Sequence, residues 1–308
     1  MRTVYLGTTE FAAGVLERLA ASEHRPALVL SRPDRPRGRG RRLASPAVVE
    51  TARALDIAVE QPDSVNDEAT FARIAELAPV VLVVCAFGAI IKESLLSAYE
   101  ILNVHPSLLP RWRGAAPIER AIMAGDTETG VSIMRLTAGL DSGPVCLAAA
   151  QPITSSDTYG SLAPRLCTLG GELLVRALGE APAFVEQDEA GVTYAEKIGP
   201  EDRLLHPARP AVELERVVRA LTPHVGARVA LGDETLLGVQ RVALLEASDA
   251  EGAAGVGGLS PRLGVTDHEG RLLLVCRTGV LELLEVQPPG GRAMDASAYL
   301  RGHGPPRT

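Results

Sequence analysis

VVLVVCA at residues 80–86 and ILNV at 101–104 decide the fold of this chain. Neither run alternates apolar with polar residues, so each suits a strand buried on both faces, and such strands occur in parallel sheets covered by helices. Toward the N-terminus, TVYL (3–6) is a further strand ending at Gly7-Thr8-Thr9, and residues 11–21 carry helical periodicity. A strand at 27–30, a helix at 47–55, a short strand at 58–60 and a helix at 66–77 continue the alternation. The expected class is α/β, with an N-terminal doubly wound, Rossmann-like, mostly parallel sheet. The first turn reads GTTEF and lacks G-x-G-x-x-G, so it does not support a dinucleotide site.

Toward the C-terminus, residues 101–145 read ILNVHPSLLPRWRGAAPIERAIMAGDTETGVSIMRLTAGLDSGPV. The strand at 101–104 ends in an amide, Asn103, and an imidazole, His105, which lie two apart and point to one side of an extended chain. Ligands of open parallel sheets sit outside the carboxyl ends of the strands, where these two groups fall. Residues 116–124 are helical in pattern, 130–136 form a third strand, and Gly139-Leu140-Asp141-Ser142-Gly143 turns sharply, bringing a carboxylate toward the same rim. An amide that holds a developing oxyanion, an imidazole that moves a proton and a carboxylate that supports it suit acyl transfer without a covalent enzyme intermediate. Asn and His at a strand end and Asp between glycines are also ordinary turn formers, so spacing alone leaves both readings open.

The 308-residue chain is 46% hydrophobic, enough for two cores, and its formal net charge of -7 argues against blanket affinity for nucleic acid while allowing a local basic patch. Cysteines at 85, 146, 167 and 276 form no C-x-x-C pair, which fits a reducing cytoplasm and no zinc site. Met1-Arg2 leads directly into a strand without a secretory apolar region, and no apolar run reaches the roughly 18 residues that span a membrane. Residues 31–46, SRPDRPRGRGRRLASP, set arginines at 32, 35, 37, 39, 41 and 42 among Pro and Gly that are expected to prevent helix or strand. After residue 188 periodicity fades into a linker over 189–210. The chain beyond residue 211 then has one amphipathic helix (212–221) followed by short strands and Gly turns, the pattern of a small antiparallel barrel. The segment 247–260 reads as an inter-strand loop, and the expected domains are 1–188 and 211–308.

NVHPSLLPRWRGAAPI followed by GLDSGPV resembles the folate-dependent formyltransferases, and SLLPRWRGAAPI in particular resembles those acting on methionyl-tRNA. The similarity runs from GTTEFA near the start to LRGHG near the end. It implies 10-formyltetrahydrofolate as donor, tetrahydrofolate as product and initiator methionyl-tRNA as acceptor. Asn103 would hold the formyl oxygen, His105 would shuttle the proton, and Asp141 would be the orienting carboxylate. The folate would be lined by Phe87, Gly88, Ile90, Ser107, Leu108, Leu109, Pro110, Gly139 and Leu140, with no metal. Arg37, Arg39, Arg41 and Arg42 would reach the acceptor end of the tRNA, and the C-terminal domain would be an OB-like β-barrel gripping RNA. A cytoplasmic monomer is expected. The sequence departs from the family pattern at Thr9 (usually Pro), Phe87 (usually Tyr), Leu205-His206 (often Asp-Trp) and the turn Leu221 to Val225 (an Asn-Pro-Trp-Pro-like turn). The alternatives are transfer to glycinamide ribonucleotide or an amino-sugar nucleotide, hydrolysis of formyltetrahydrofolate, and a non-catalytic tRNA-binding role.

Overall fold

A computed structural model describes residues 2–37, 42–232, 235–245 and 263–304. Two compact units emerge: residues 1–117, 128–152 and 163–195 form the first, and 118–127, 153–162 and 196–308 the second.

The chain runs β1 (Thr3–Gly7), α1 (Glu10–Ala20), β2 (Pro26–Leu30), β3 (Arg35–Arg37), β4 (Arg42–Ala44), α2 (Ala47–Ala54), β5 (Val59–Glu60), α3 (Glu68–Leu77), β6 (Val81–Cys85), α4 (Glu93–Leu96), β7 (Glu100–His105) and β8 (Arg113–Gly114). It continues through α5 (Pro117–Ala124), β9 (Glu128–Arg135), β10 (Val145–Pro152), α6 (Tyr159–Glu180) and β11 (Tyr194–Ala195). The seven-stranded sheet has the order β10-β9-β7-β6-β1-β2-β5, parallel from β5 to β7, with β9 and β10 added antiparallel. Every residue of β1 and β6 is buried, as their unalternated composition requires. Val4, Leu6, Leu28, Leu30, Leu82, Val84 and Ile101 share a core with Ile74 of α3 and Leu95 of α4. The doubly wound, mostly parallel sheet is thus the one expected.

Chain order reverses between β1 and β6, which places a crevice at their carboxyl ends. Thr9 caps α1 there by accepting from the amide of Ala12 at 3.3 Å, so its replacement of Pro leaves the turn intact. Thr8 Oγ1 donates to the carbonyl of Phe87 at 2.7 Å and ties the two strand ends together.

The expectation that Pro and Gly bar regular structure from 31–46 is overturned: β3 and β4 form an antiparallel hairpin, with Pro36 opposite Leu43 and Arg37 opposite Arg42. A two-stranded ribbon leaves one edge of each strand unpaired, and on that edge a proline loses no ladder bond. Arg39 and Arg41 lie outside the described residues.

In the second unit α7 (Ala211–Leu221) is followed by β12 (Ala227–Ala230), β13 (Leu236–Leu244), β14 (Gly264–His268), β15 (Arg271–Val275), β16 (Val280–Gln287), β17 (Met294–Asp295) and α8 (Ala296–His303). The sheet is antiparallel in the order β12-β13-β16-β15-β14, with β17 on β16, and fits the OB-like architecture expected. Leu214, Val217, Val218 and Leu221 of α7 pack on Val229, Val239, Leu272, Leu274 and Leu283. The expected loop at 247–260 lies outside the described residues.

Candidate active site

Asn103 and His105 end β7, the last parallel strand, and both are buried. Strand geometry puts them on one side, and the turn after β9 brings Asp141 across to them. Asn103 Nδ2 donates to Asp141 Oδ1 at 3.4 Å, and His105 Nδ1 stands 3.6 Å from Asp141 Oδ2. The backbone amide of Gly114 donates to the same Oδ2 at 2.9 Å and fixes the carboxylate. The three residues picked from sequence therefore meet in space.

The imidazole is held by a group that sequence reasoning missed. His105 Nε2 lies 2.9 Å from the carbonyl oxygen of Trp112. A carbonyl only accepts, so Nε2 carries the hydrogen, and the nitrogen free to take up a proton is Nδ1, on the Asp141 side. Trp112 aims that carbonyl from a left-handed backbone (φ 65°), pinned by Thr193 Oγ1, which accepts from the Trp112 amide at 2.9 Å. Gly114, at φ 126°, passes so close to Ala195 that a Cβ would stand 2.7 Å from its carbonyl oxygen, and only glycine allows β8 to pair with β11 there.

The turn bearing Asp141 (φ 43°) is braced by Gln187 Nε2, which donates to the carbonyls of Asp141 at 2.8 Å and Gly143 at 2.7 Å. Arg113 Nε donates to Gln187 Oε1 and Arg113 Nη2 to Glu189 Oε1, each at 3.0 Å. Arg113 is only 4% exposed, so its guanidinium is committed to these two partners. The sequence assigns no site role to Gln187 or Thr193, because a single hydrogen bond between distant residues leaves no periodicity.

The residues expected to line the folate fall into three groups. The Phe87 ring is buried in the core, so the part of Phe87 at the crevice is its backbone. Gly88 accepts from Arg32 Nη1, while Ile90 is 82% exposed and its carbonyl accepts from Asn66 Nδ2 at 2.8 Å. Ser107 is fully buried and donates to the Arg111 carbonyl at 2.6 Å, and its own carbonyl accepts from Ser132 Oγ, which also receives the Leu109 amide at 3.1 Å. That network shapes Leu108, Leu109 and Pro110. Gly139 and Leu140 stand exposed beside Asp141. Arg111 lies over the Trp112 ring, 4.4 Å from its centroid. Among the described residues no cluster of His, Cys, Asp and Glu could hold a metal ion, and no helix is long and apolar enough to cross a membrane.

Residues 1–178 match the formyl transferase family and 197–304 the formyl transferase C-terminal domain. This chain belongs to the formyl transferase family. A methionyl-tRNA formyltransferase of Dechloromonas aromatica (strain RCB) is 41% identical over 306 residues, 98% of this chain and 96% of that protein. Among solved structures of similar fold, the methionyl-tRNA formyltransferase from Clostridium thermocellum has a TM-score of 0.56 at 14% identity, over 80% of this chain and 94% of that one. HypX from Aquifex aeolicus in complex with tetrahydrofolic acid has a TM-score of 0.62 at 15% identity, over 97% of this formyl transferase and 47% of that chain.

Proposed function

We propose that the protein moves the formyl group of 10-formyltetrahydrofolate to the α-amine of methionine on initiator tRNA, releasing tetrahydrofolate. The observation that carries this reading is the meeting of Asn103, His105 and Asp141 at the carboxyl end of β7. The acceptor follows from the likeness to methionyl-tRNA formyltransferases along nearly the whole chain.

The neutral methionine amine adds to the formyl carbon, forming the new C–N bond and a tetrahedral oxyanion. Asn103 holds that oxyanion with the amide hydrogen not turned to Asp141, an interaction worth about 3 kcal/mol by comparison with other oxyanion donors. His105 Nδ1 takes the proton from the attacking nitrogen and delivers it to N10 as the C–N10 bond breaks, for roughly a hundred- to ten-thousand-fold. Asp141, fixed by the Gly114 amide, stabilises the imidazolium in between. Phe87, Gly88, Ile90, the loop from Ser107 to Pro110, Gly139 and Leu140 enclose the folate. Arg37, Arg39, Arg41 and Arg42 engage the acceptor end of the tRNA, and residues 211–308 grip its body. The protein works as a cytoplasmic monomer and uses no metal.

The test offers 10-formyltetrahydrofolate with methionylated initiator tRNA and, separately, with glycinamide ribonucleotide. Formylation of the tRNA alone is expected. Formylation of the nucleotide, or tetrahydrofolate released without a formylated amine, would overturn the assignment.

A further inference from the structure

We propose that Gln187 is a positioning residue of the active site, setting the turn that carries Asp141, and that with Thr193 it makes the stretch between the two family-matched regions part of the catalytic apparatus. The proposal rests on the formyl-transfer reading above. The matched regions end at residue 178 and resume at 197, and both side chains fall in the gap.

Gln187 uses its amide nitrogen on two carbonyls of one turn, those of Asp141 and Gly143. The orientation of that amide is not arbitrary. Arg113 only donates, so the amide oxygen must face Arg113 Nε and the NH2 must face the turn. Arg113 is itself buried and anchored at its other end by Glu189, so Gln187 has little freedom to swing away. The turn needs such a clamp. Asp141 sits in the left-handed region, which a residue with a side chain adopts against its intrinsic preference. At Gly143 a Cβ would run into the carbonyl of Arg135. Released from Gln187, the turn would relax and move the carboxylate away from His105 Nδ1.

Thr193 does the matching work on the imidazole side. Its hydroxyl oxygen holds the amide of Trp112, whose carbonyl holds His105 Nε2. The pairing of Tyr194 with Arg113 and Ala195 with Gly114 keeps the two segments in register. The imidazole and the carboxylate that supports it are thus each aimed by one residue of the connecting stretch. A plain strut would lower stability and add its cost to that of any other substitution. A positioning residue acts through Asp141 and has nothing left to do once that carboxylate is altered.

The experiment uses the full chain with Gln187→Met, which keeps the length but has no N–H, and Gln187→Glu, which keeps an acceptor for Arg113 but likewise has no N–H. Both should lower kcat roughly 10- to 100-fold, the scale of a 1 Å misplacement, and leave KM for tRNA within about two-fold. Amide hydrogen exchange over residues 140–143 should become faster. In an Asp141→Asn background, Gln187→Met should change kcat by less than about two-fold. Thr193→Ser should keep turnover, and Thr193→Val should lose it. Wild-type kcat in both Gln187 variants, full additivity with Asp141→Asn, unchanged exchange at 140–143, or loss of the fold in both variants would each overturn the proposal. If the wild-type chain formylates no tRNA, the functional reading fails by itself, and the exchange measurement still decides whether Gln187 sets the turn.

Discussion

A histidine at a strand end offers either ring nitrogen to its surroundings, and here the backbone of Trp112 makes the choice. By holding Nε2–H it leaves Nδ1 toward Asp141, 3.6 Å from Oδ2. Asn103→Ala should lower turnover about 100- to 1,000-fold and His105→Ala about 100- to 10,000-fold, with tRNA affinity nearly unchanged. Either one combined with Asp141→Ala should lose less than the product of the single losses if the groups serve one transition state. Single-turnover formylation at saturating substrates reads both expectations. The cysteines make a separate point. Burial pushes the Cys167 and Cys276 thiols up to about 11 and the Cys85 thiol higher still. At pH 8 these three should react with an aromatic disulfide reagent far more slowly in the folded protein than after denaturation, since only the thiolate attacks. Their raised folded values also mean that the stability they contribute is complete below the free thiol value of about 8.5 and is lost as pH rises toward 11.

At the scale of elements, the arginine-rich sequence from residue 37 to 42 carries an electrostatic expectation that salt can test. If its four arginines from 37 to 42 meet a largely single-stranded acceptor end, replacing Arg37, Arg39, Arg41 and Arg42 by Ala should flatten the plot of log affinity against log salt by about 3. Folate affinity should not change. An unchanged slope in titrations at several salt concentrations would remove these four arginines from RNA binding. A second element-level contact ties α5 to the turn at Glu201–Arg203: Arg120 meets Asp202 through two bonds, of 2.6 and 3.0 Å. The guanidinium holds the Asp202 carboxyl below its ordinary range. Its folded value lies under its unfolded one, so the contribution is complete above pH about 4 and disappears as pH falls through the folded value. Asp202→Asn should therefore cost about 1 kcal/mol at pH 7 and little near pH 2, as thermal or urea unfolding at the two pH values would record.

At the scale of the molecule, the two units are interleaved in sequence. Residues 118–127 and 153–162 cluster with the C-terminal unit, where Met123 packs against its core. A chain ending near Gly199 keeps Gln187 and Thr193 but deprives Met123 of that core. It should bind 10-formyltetrahydrofolate, bind tRNA at least tenfold more weakly by filter binding, and melt below the full chain. Unchanged tRNA affinity in a fragment shown folded by circular dichroism would contradict the division of labour.

The sequence by itself determined the parallel core, because VVLVVCA and ILNV have no polar face to give to water, and it determined the antiparallel class of the C-terminal unit through short strands set between turns. It also singled out Asn103, His105 and Asp141, though spacing alone left them open as turn formers and only the resemblance to the formyltransferases gave them roles. The tertiary structure alone decided the rest. Arg35–Ala44 pairs as a hairpin despite its prolines because a two-stranded ribbon has free edges. Strand β10, VCLAAAQP, has little pattern and exists because β9 offers it a partner. Thr193, in the stretch that reads as a linker, and Gln187 just before it reach the Trp112 amide and the turn of Asp141. Periodicity reports which faces of a segment are buried. It is silent on a hydrogen bond between Gln187 and a carbonyl 46 residues away, because that bond depends on where the whole chain has placed both ends.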